Sequence, residues 1–297
     1  MTNVGEGKFT YRVAEGWGQL PEGYEFGQVA GVAADSEGRV HLFNRSAHPV
    51  QVFDRDGKFL KSWGGGVFTN PHGITIAPDD TYWLTDRDAH VVQKYSPQGE
   101  LLMTLGNRNQ PSDTGYDPQE KVVKQAAGPF NLPTKVALGP GGELYVSDGY
   151  GNCRVHKFSS QGELLMSWGT PGDGPGEFHL PHSLWVDSSG RVLVCDRENH
   201  RIQVFTPEGE HITMWTGFKQ PTDIYIDPDG IVYVSELGDR VSILDLEGNL
   251  LARWGDERSH DPGKFWGAHG IWVCARGDIY VSEVLGGQRV QKFARTG

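Results

Sequence analysis

Cysteine is nearly missing from this chain. Three occur in 297 residues, Cys153, Cys195 and Cys274, and an odd, sparse set makes no disulfide framework. Cys195 and Cys274 fall in the strand-like runs VLVCD and IWVCA and are expected to be buried thiols. No apolar run approaches the ~18 residues of a membrane-spanning helix. The start, MTNVGEGKFTYRV, shows no charged segment followed by an apolar core, so no signal peptide is read there. Together these shortages lead us to expect a reducing, cytoplasmic setting. Basic charge is short too: 27 Lys and Arg stand against 38 Asp and Glu, a net charge of -11. That balance argues against nucleic acid and anionic membranes as main partners. It leaves room for a local cationic pocket.

What the chain has in quantity is punctuation. It carries 41 Gly and 17 Pro with 11% aromatics, which suits many short strands joined by tight turns. One unit recurs six times: FGQVA at Phe26, FTNPH at Phe68, FNLPT at Phe130, FHLPH at Phe178, FKQPT at Phe218 and FWGAH at Phe265. Each copy leads into an apolar run, a turn, and a second run that ends in Asp, Asn or Glu. A third run follows, then a Gly turn and a fourth run often closed by Trp-Gly. Four antiparallel strands in a unit of about 40 residues is the pattern of a propeller blade. The expected fold is therefore all-β, a six-bladed propeller occupying residues 1–297 as one domain. The last copy stops after its third run, and FTYRVAEGWG (Phe9 to Gly18) has the look of the missing fourth. The N-terminal strand is expected to close the ring and cover an open sheet edge.

The last position of each motif opens an inner strand and so lies at the mouth of the central channel. In order these residues are Ala30, His72, Thr134, His182, Thr222 and His269. Histidine takes every second blade, which sets three imidazoles roughly 120° apart on a six-fold ring. Three His with a fourth position open is the layout of a catalytic zinc site. The plainer alternative is three capping histidines bonded to backbone or water. Thr134 and Thr222 read as hydrogen-bonding spacers, and the other eight histidines as surface or strand residues. Residues just after each second run reach the same mouth, among them Arg45, Arg87, Tyr150 and Arg197. The insertion from about Asn107 to Gly128 falls on that face as a lid or wall.

The Phe-Pro-His repeat resembles NHL-repeat propellers. NPHG (Asn70 to Gly73), SDGYGNCR (Ser147 to Arg154), LPHSL (Leu180 to Leu184) and CDRENHRIQ (Cys195 to Gln203) resemble, more narrowly, the peptidyl-α-hydroxyglycine α-amidating lyases. The resemblance runs over most of the chain and is most specific from Asn70 to Phe205. It implies zinc held by His72, His182 and His269, an active-site tyrosine at Tyr150, and substrate-handling arginines at Arg45 and Arg197. It departs at Gly267-Ala268-His269-Gly270, where the family has Met-Pro before the last His and Asp after it. The missing acid removes part of the family's calcium site, so structural calcium is not carried over. The family's disulfides are absent as well, since Gly151 follows Tyr150.

The reaction implied splits an N-acyl α-hydroxyglycine into an amide and glyoxylate. A zinc ion at the carbinol would lower the hydroxyl pKa, Tyr150 would move its proton, and Arg45 and Arg197 would clamp a carboxylate. The small anionic substrate this predicts fits cationic residues gathered on an acidic protein. An ion pair with a nearby acid such as Asp196 is the plainer reading of Arg197. Other functions stay open at this point: a zinc hydrolase, a lyase acting on another small anion, or a non-enzymatic NHL binding module. An RNA-binding module would call for a basic face, and a calcium lactonase for oxygen ligands on the axis.

Overall fold

The inner runs are apolar on both sides and short, and this makes them strands buried on two faces. Pro71–Ile76 and Pro181–Val186 are of this kind, with almost every residue buried. In the computed structural model, which describes residues 1–297, the chain is an all-β six-bladed propeller. Each blade has four antiparallel strands, and no helix is present. The repeat positions sit where the motif places them, as the second residue of inner strands such as Val29–Ala34, Pro71–Ile76 and Ala268–Val273.

Two compact units are distinguished. Met1–Val67, Pro78–Asp80 and Thr222–Gly297 form one, and Phe68–Ala77 with Thr81–Pro221 forms the other. Tyr11, Trp254, Phe265 and Phe293 centre a core of the first unit. Trp168, Phe178 and Phe205 centre one in the second. Phe178 and Phe205 are wholly buried, which contributes about 2–3 kcal/mol each by area removed from water.

In the first unit, Phe9–Val13 pairs with the last strand, Val290–Arg295, with Tyr11 opposite Arg295 and Val13 opposite Phe293. The N-terminal segment thus supplies the fourth strand that the last blade lacks. A fifth strand, Asn3–Glu6, pairs outside it and was not foreseen. Turn chemistry is local. Asp187 Oδ1 accepts from the backbone N–H of Ser189 and of Arg191, both at 2.9 Å, around Gly190 at φ 87°. A side-chain oxygen bonding two residues on is what Asx-type turns require. Outer strands leave Leu60, Leu101, Leu164 and Leu250 exposed. Cys153 and Cys195 are buried thiols, whereas Cys274 is only half-buried. It falls one residue past the inner strand Ala268–Val273, at a turn, and so loses the cover expected for it.

Candidate metal and substrate site

The acid that ends each second strand positions the loop in front of the first. Asp86 accepts from the backbone N–H of Thr69 and Asn70 at 2.9 and 2.8 Å. Asp196 accepts from His179 N–H at 2.8 Å, and Glu283 from Trp266 N–H at 2.8 Å. These carboxylates are fully buried, where a charge-assisted bond to backbone is strong. Each therefore fixes the segment two or three residues ahead of His72, His182 or His269.

The imidazoles are then oriented. His72 Nδ1 donates to Thr134 O at 2.8 Å, and His269 Nδ1 donates to Ala30 O at 2.7 Å. In both cases the acceptor is the carbonyl of the repeat position one blade on. A carbonyl can only accept, so the proton sits on Nδ1 and the Nε2 lone pair is left for a ligand. His72, His182 and His269 are all buried, and their candidate ligand atoms lie within 4.8 Å of one another. The cluster can hold a metal ion. Buried imidazoles, two of them oriented through Nδ1, fit zinc by donor type. Thr134 and Thr222 act as the spacers expected: Thr134 Oγ1 donates to Pro181 O, and Thr222 Oγ1 to Ala268 O, both at 3.1 Å.

In the second unit the other groups meet at one atom. Tyr150 Oη lies 3.2 Å from His182 Nε2, 3.4 Å from His72 Nε2 and 3.2 Å from Arg197 Nη1. The Arg197 guanidinium carbon is 5.2 Å from the centre of the Tyr150 ring. Arg197 does pair with an acid, but with Glu198, Nε to Oε1 at 2.8 Å. Asp196 is taken by Arg201 instead, at 2.7 Å. Arg45 is fixed on its own blade, where Nη1 donates to Gln28 Oε1 at 2.8 Å. The insertion is tied beside the tyrosine, since Thr114 Oγ1 donates to Gly151 O at 2.6 Å.

Arg87 belongs to this cluster, and sequence reasoning left it outside the chosen site. Its guanidinium carbon stands 4.7 Å from the Tyr150 ring centre, and its Nε donates to Asp88 Oδ1 at 2.7 Å. Burial would lower the pKa of both arginines. Asp88 and Tyr150 hold Arg87 above its ordinary value, and Tyr150 and Glu198 do the same for Arg197. The signal was present in the echo between Asp86-Arg87-Asp88 and Asp196-Arg197-Glu198.

Comparison with known proteins bears on the repeat and the family. The NHL repeat pattern matches residues 130–158 and 178–205. NHL repeat-containing protein 3 of Homo sapiens is 36% identical over 239 residues, 75% of this chain and 65% of that protein. The Mus musculus counterpart is 34% identical over 252 residues, 79% of this chain and 69% of that protein. The chain belongs to the NHL repeat family. This NHL propeller is also 32% identical to a Caenorhabditis elegans protein named "Probable peptidyl-alpha-hydroxyglycine alpha-amidating lyase". That match spans 209 residues, 61% of this chain and 56% of the nematode protein. Among solved structures, a streptogramin B lyase aligns over 96% of this chain and 98% of its own, with a TM-score of 0.65 at 12% identity. At that identity the likeness concerns the fold.

Proposed function

We propose that this NHL propeller is a lyase that cleaves the C–N bond of N-acyl α-hydroxyglycines, releasing the amide and glyoxylate. The observation that carries the reading is the meeting of His72, His182 and Arg197 at the Tyr150 hydroxyl, within 3.2–3.4 Å. Relatives named as amidating lyases, such as the nematode protein, support it.

His72, His182 and His269 would hold zinc, which when bound supplies a Lewis acid for the substrate hydroxyl. The chain's own groups do the rest. The Arg197 guanidinium, anchored through Nε by Glu198, presents its terminal nitrogens to the substrate carboxylate. Tyr150, acting as its phenolate, takes the carbinol O–H proton and becomes the phenol, and the oxygen pair collapses to the C=O of glyoxylate. The C–N bond breaks with its electrons on nitrogen. Tyr150 returns the proton there, completing the amide. The phenolate thus acts as base, and the phenol it becomes acts as acid, at neighbouring atoms.

The test is glyoxylate release from N-benzoyl-α-hydroxyglycine by the zinc-loaded protein. Tyr150→Phe is expected to lower kcat by about 10²–10⁴-fold while zinc content stays the same. Release no faster than the spontaneous rate would overturn the lyase reading. The names of the human and mouse relatives specify only repeats, and such an outcome would favour a binding module.

A further inference from the structure

Two arms of the same construction converge on Tyr150. In one, Asn70 Nδ2 donates to Asp88 Oδ2 at 2.8 Å, and Arg87 Nε donates to Asp88 Oδ1 at 2.7 Å. In the other, Gln220 Nε2 donates to Glu198 Oε2 at 2.9 Å, and Arg197 Nε donates to Glu198 Oε1 at 2.8 Å. An amide fixes a carboxylate, the carboxylate fixes Nε, and the terminal nitrogens are left on the Tyr150 side. A guanidinium has five N–H donors in a planar fork, and each arm spends its Nε on the anchor alone.

The arms start on different blades. Arg87 follows the second strand of blade two, and Arg197 that of blade four. Tyr150 follows the second strand of blade three, whose inner strand Pro133–Leu138 packs between those of its two neighbours. The phenol ring therefore stands between two guanidiniums, 4.7 and 5.2 Å from their carbons. A carboxylate that takes the terminal nitrogens of one fork leaves the other, which comes from the blade on the far side of Tyr150, for a second anionic group. Side-chain exposure is 23% for Arg87 and 11% for Arg197, so each is sheltered enough to bind an anion strongly and open enough to be reached.

We propose that Arg87 is a second anion-binding residue of this mouth, and that the preferred ligand is a dicarboxylate, an N-acylglycine-type molecule whose acyl chain ends in its own carboxylate. The proposal deepens the functional reading above and rests on it for the role of Arg197, which takes the glycine-side carboxylate. Arg87 takes the distal one.

The probes are N-succinylglycine and N-butyrylglycine. They share a four-carbon acyl chain and differ in whether it ends in a carboxylate or a methyl group. Neither can turn over, so calorimetry on the full chain reads binding alone. The wild type is expected to bind N-succinylglycine about tenfold more tightly, the scale of one charge-assisted pair. Arg87→Gln should bring the two affinities to within about twofold by weakening only the dicarboxylate. Arg197→Gln should weaken both probes by similar factors. If Arg87→Gln melts early, Arg87→Lys serves instead: it keeps the charge, loses the fork, and should forfeit at least about threefold of the preference. A wild type that binds both probes alike overturns the proposal. So does an Arg87 variant that weakens both equally, which would make Arg87 a support for Tyr150. The two readings fail separately. Retained discrimination without glyoxylate release removes the lyase and leaves the dicarboxylate site. Glyoxylate release without discrimination removes only the dicarboxylate site.

Discussion

His72 and His156 are both buried strand histidines of the same unit, at 2% and 0% exposure. His72 opens an inner strand at the mouth, and His156 lies inside a blade. Inside the blade both ring nitrogens are spent. His156 Nε2 lies 3.2 Å from Asp148 Oδ2, and Nδ1 lies 2.7 Å from Ser167 Oγ. At the mouth Nδ1 is spent on backbone, and Nε2 faces the Tyr150 hydroxyl at 3.4 Å, which is long for a hydrogen bond. Burial therefore does not mark a functional histidine; the direction of its second nitrogen does. The Ser-His-Asp order around His156 resembles a catalytic triad, yet His156 stands where other blades carry glutamine. Gln203 donates to Asp196 at 3.1 Å and Gln291 to Glu283 at 2.9 Å. The seam is a structural clasp between second and third strands.

The sharpest way to break this contrast is to remove each imidazole in turn. His156→Ala takes a partner from a buried carboxylate and leaves a void beside Phe130, whose ring centre is 5.5 Å away. We expect a loss of about 3 kcal/mol in urea unfolding. His156→Gln should recover most of it, since glutamine makes this bond elsewhere in the chain. A His156→Ala protein of unchanged stability would show that the seam is not a clasp.

His72→Ala should have the opposite profile. One hydrogen bond to Thr134 O is lost, at a cost of about 1 kcal/mol, while bound zinc, measured by elemental analysis, should fall from about one per chain to a small fraction of that. His156→Gln should keep its zinc. Zinc retained in His72→Ala, or lost in a folded His156→Gln, would collapse the distinction between the two histidines.

Much of this was legible in the sequence because a propeller writes its geometry as a repeat. A motif spaced around a ring says which residues share a face, so the alternation of His72, His182 and His269 could be read before any coordinates. Tyr150 and Arg197 followed from strand direction together with resemblance. Arg87 was placed at the mouth but not in the site, because position in a repeat does not say what a side chain reaches across the blade boundary. For the same reason Asp196, the sequence neighbour of Arg197, stood as the acid in the plainer reading of that arginine. Alternation in the strand points Asp196 into the blade, toward Arg201, and leaves Glu198 for the arginine. The strand Asn3–Glu6 was missed because NVGE has neither alternation nor β-branched density.

The smallest expected effect is also electrostatic, and it separates a mouth carboxylate from the seam. Burial would raise the Glu198 pKa, but the Arg197 charge and the hydrogen bonds from Gln220 and Arg197 outweigh it and hold it below the ordinary value. A carboxyl with a depressed folded-state pKa binds its proton more weakly when folded. Its stabilising contribution is complete above the unfolded pKa of about 4.3 and fades as pH falls through the folded value. Wild-type stability should therefore drop more steeply than that of Glu198→Gln below about pH 4.5, with parallel curves from pH 5 to 7. Because Glu198 anchors Arg197, N-butyrylglycine binding should weaken over the same acid window in the wild type and be weaker at neutral pH in Glu198→Gln. Parallel acid limbs in the two proteins would mean that Glu198 is not held by Arg197 in solution. The arm would then be a loose surface pair, worth little in the way exposed ion pairs usually are, and Arg197 would have to be held in place by Tyr150 alone.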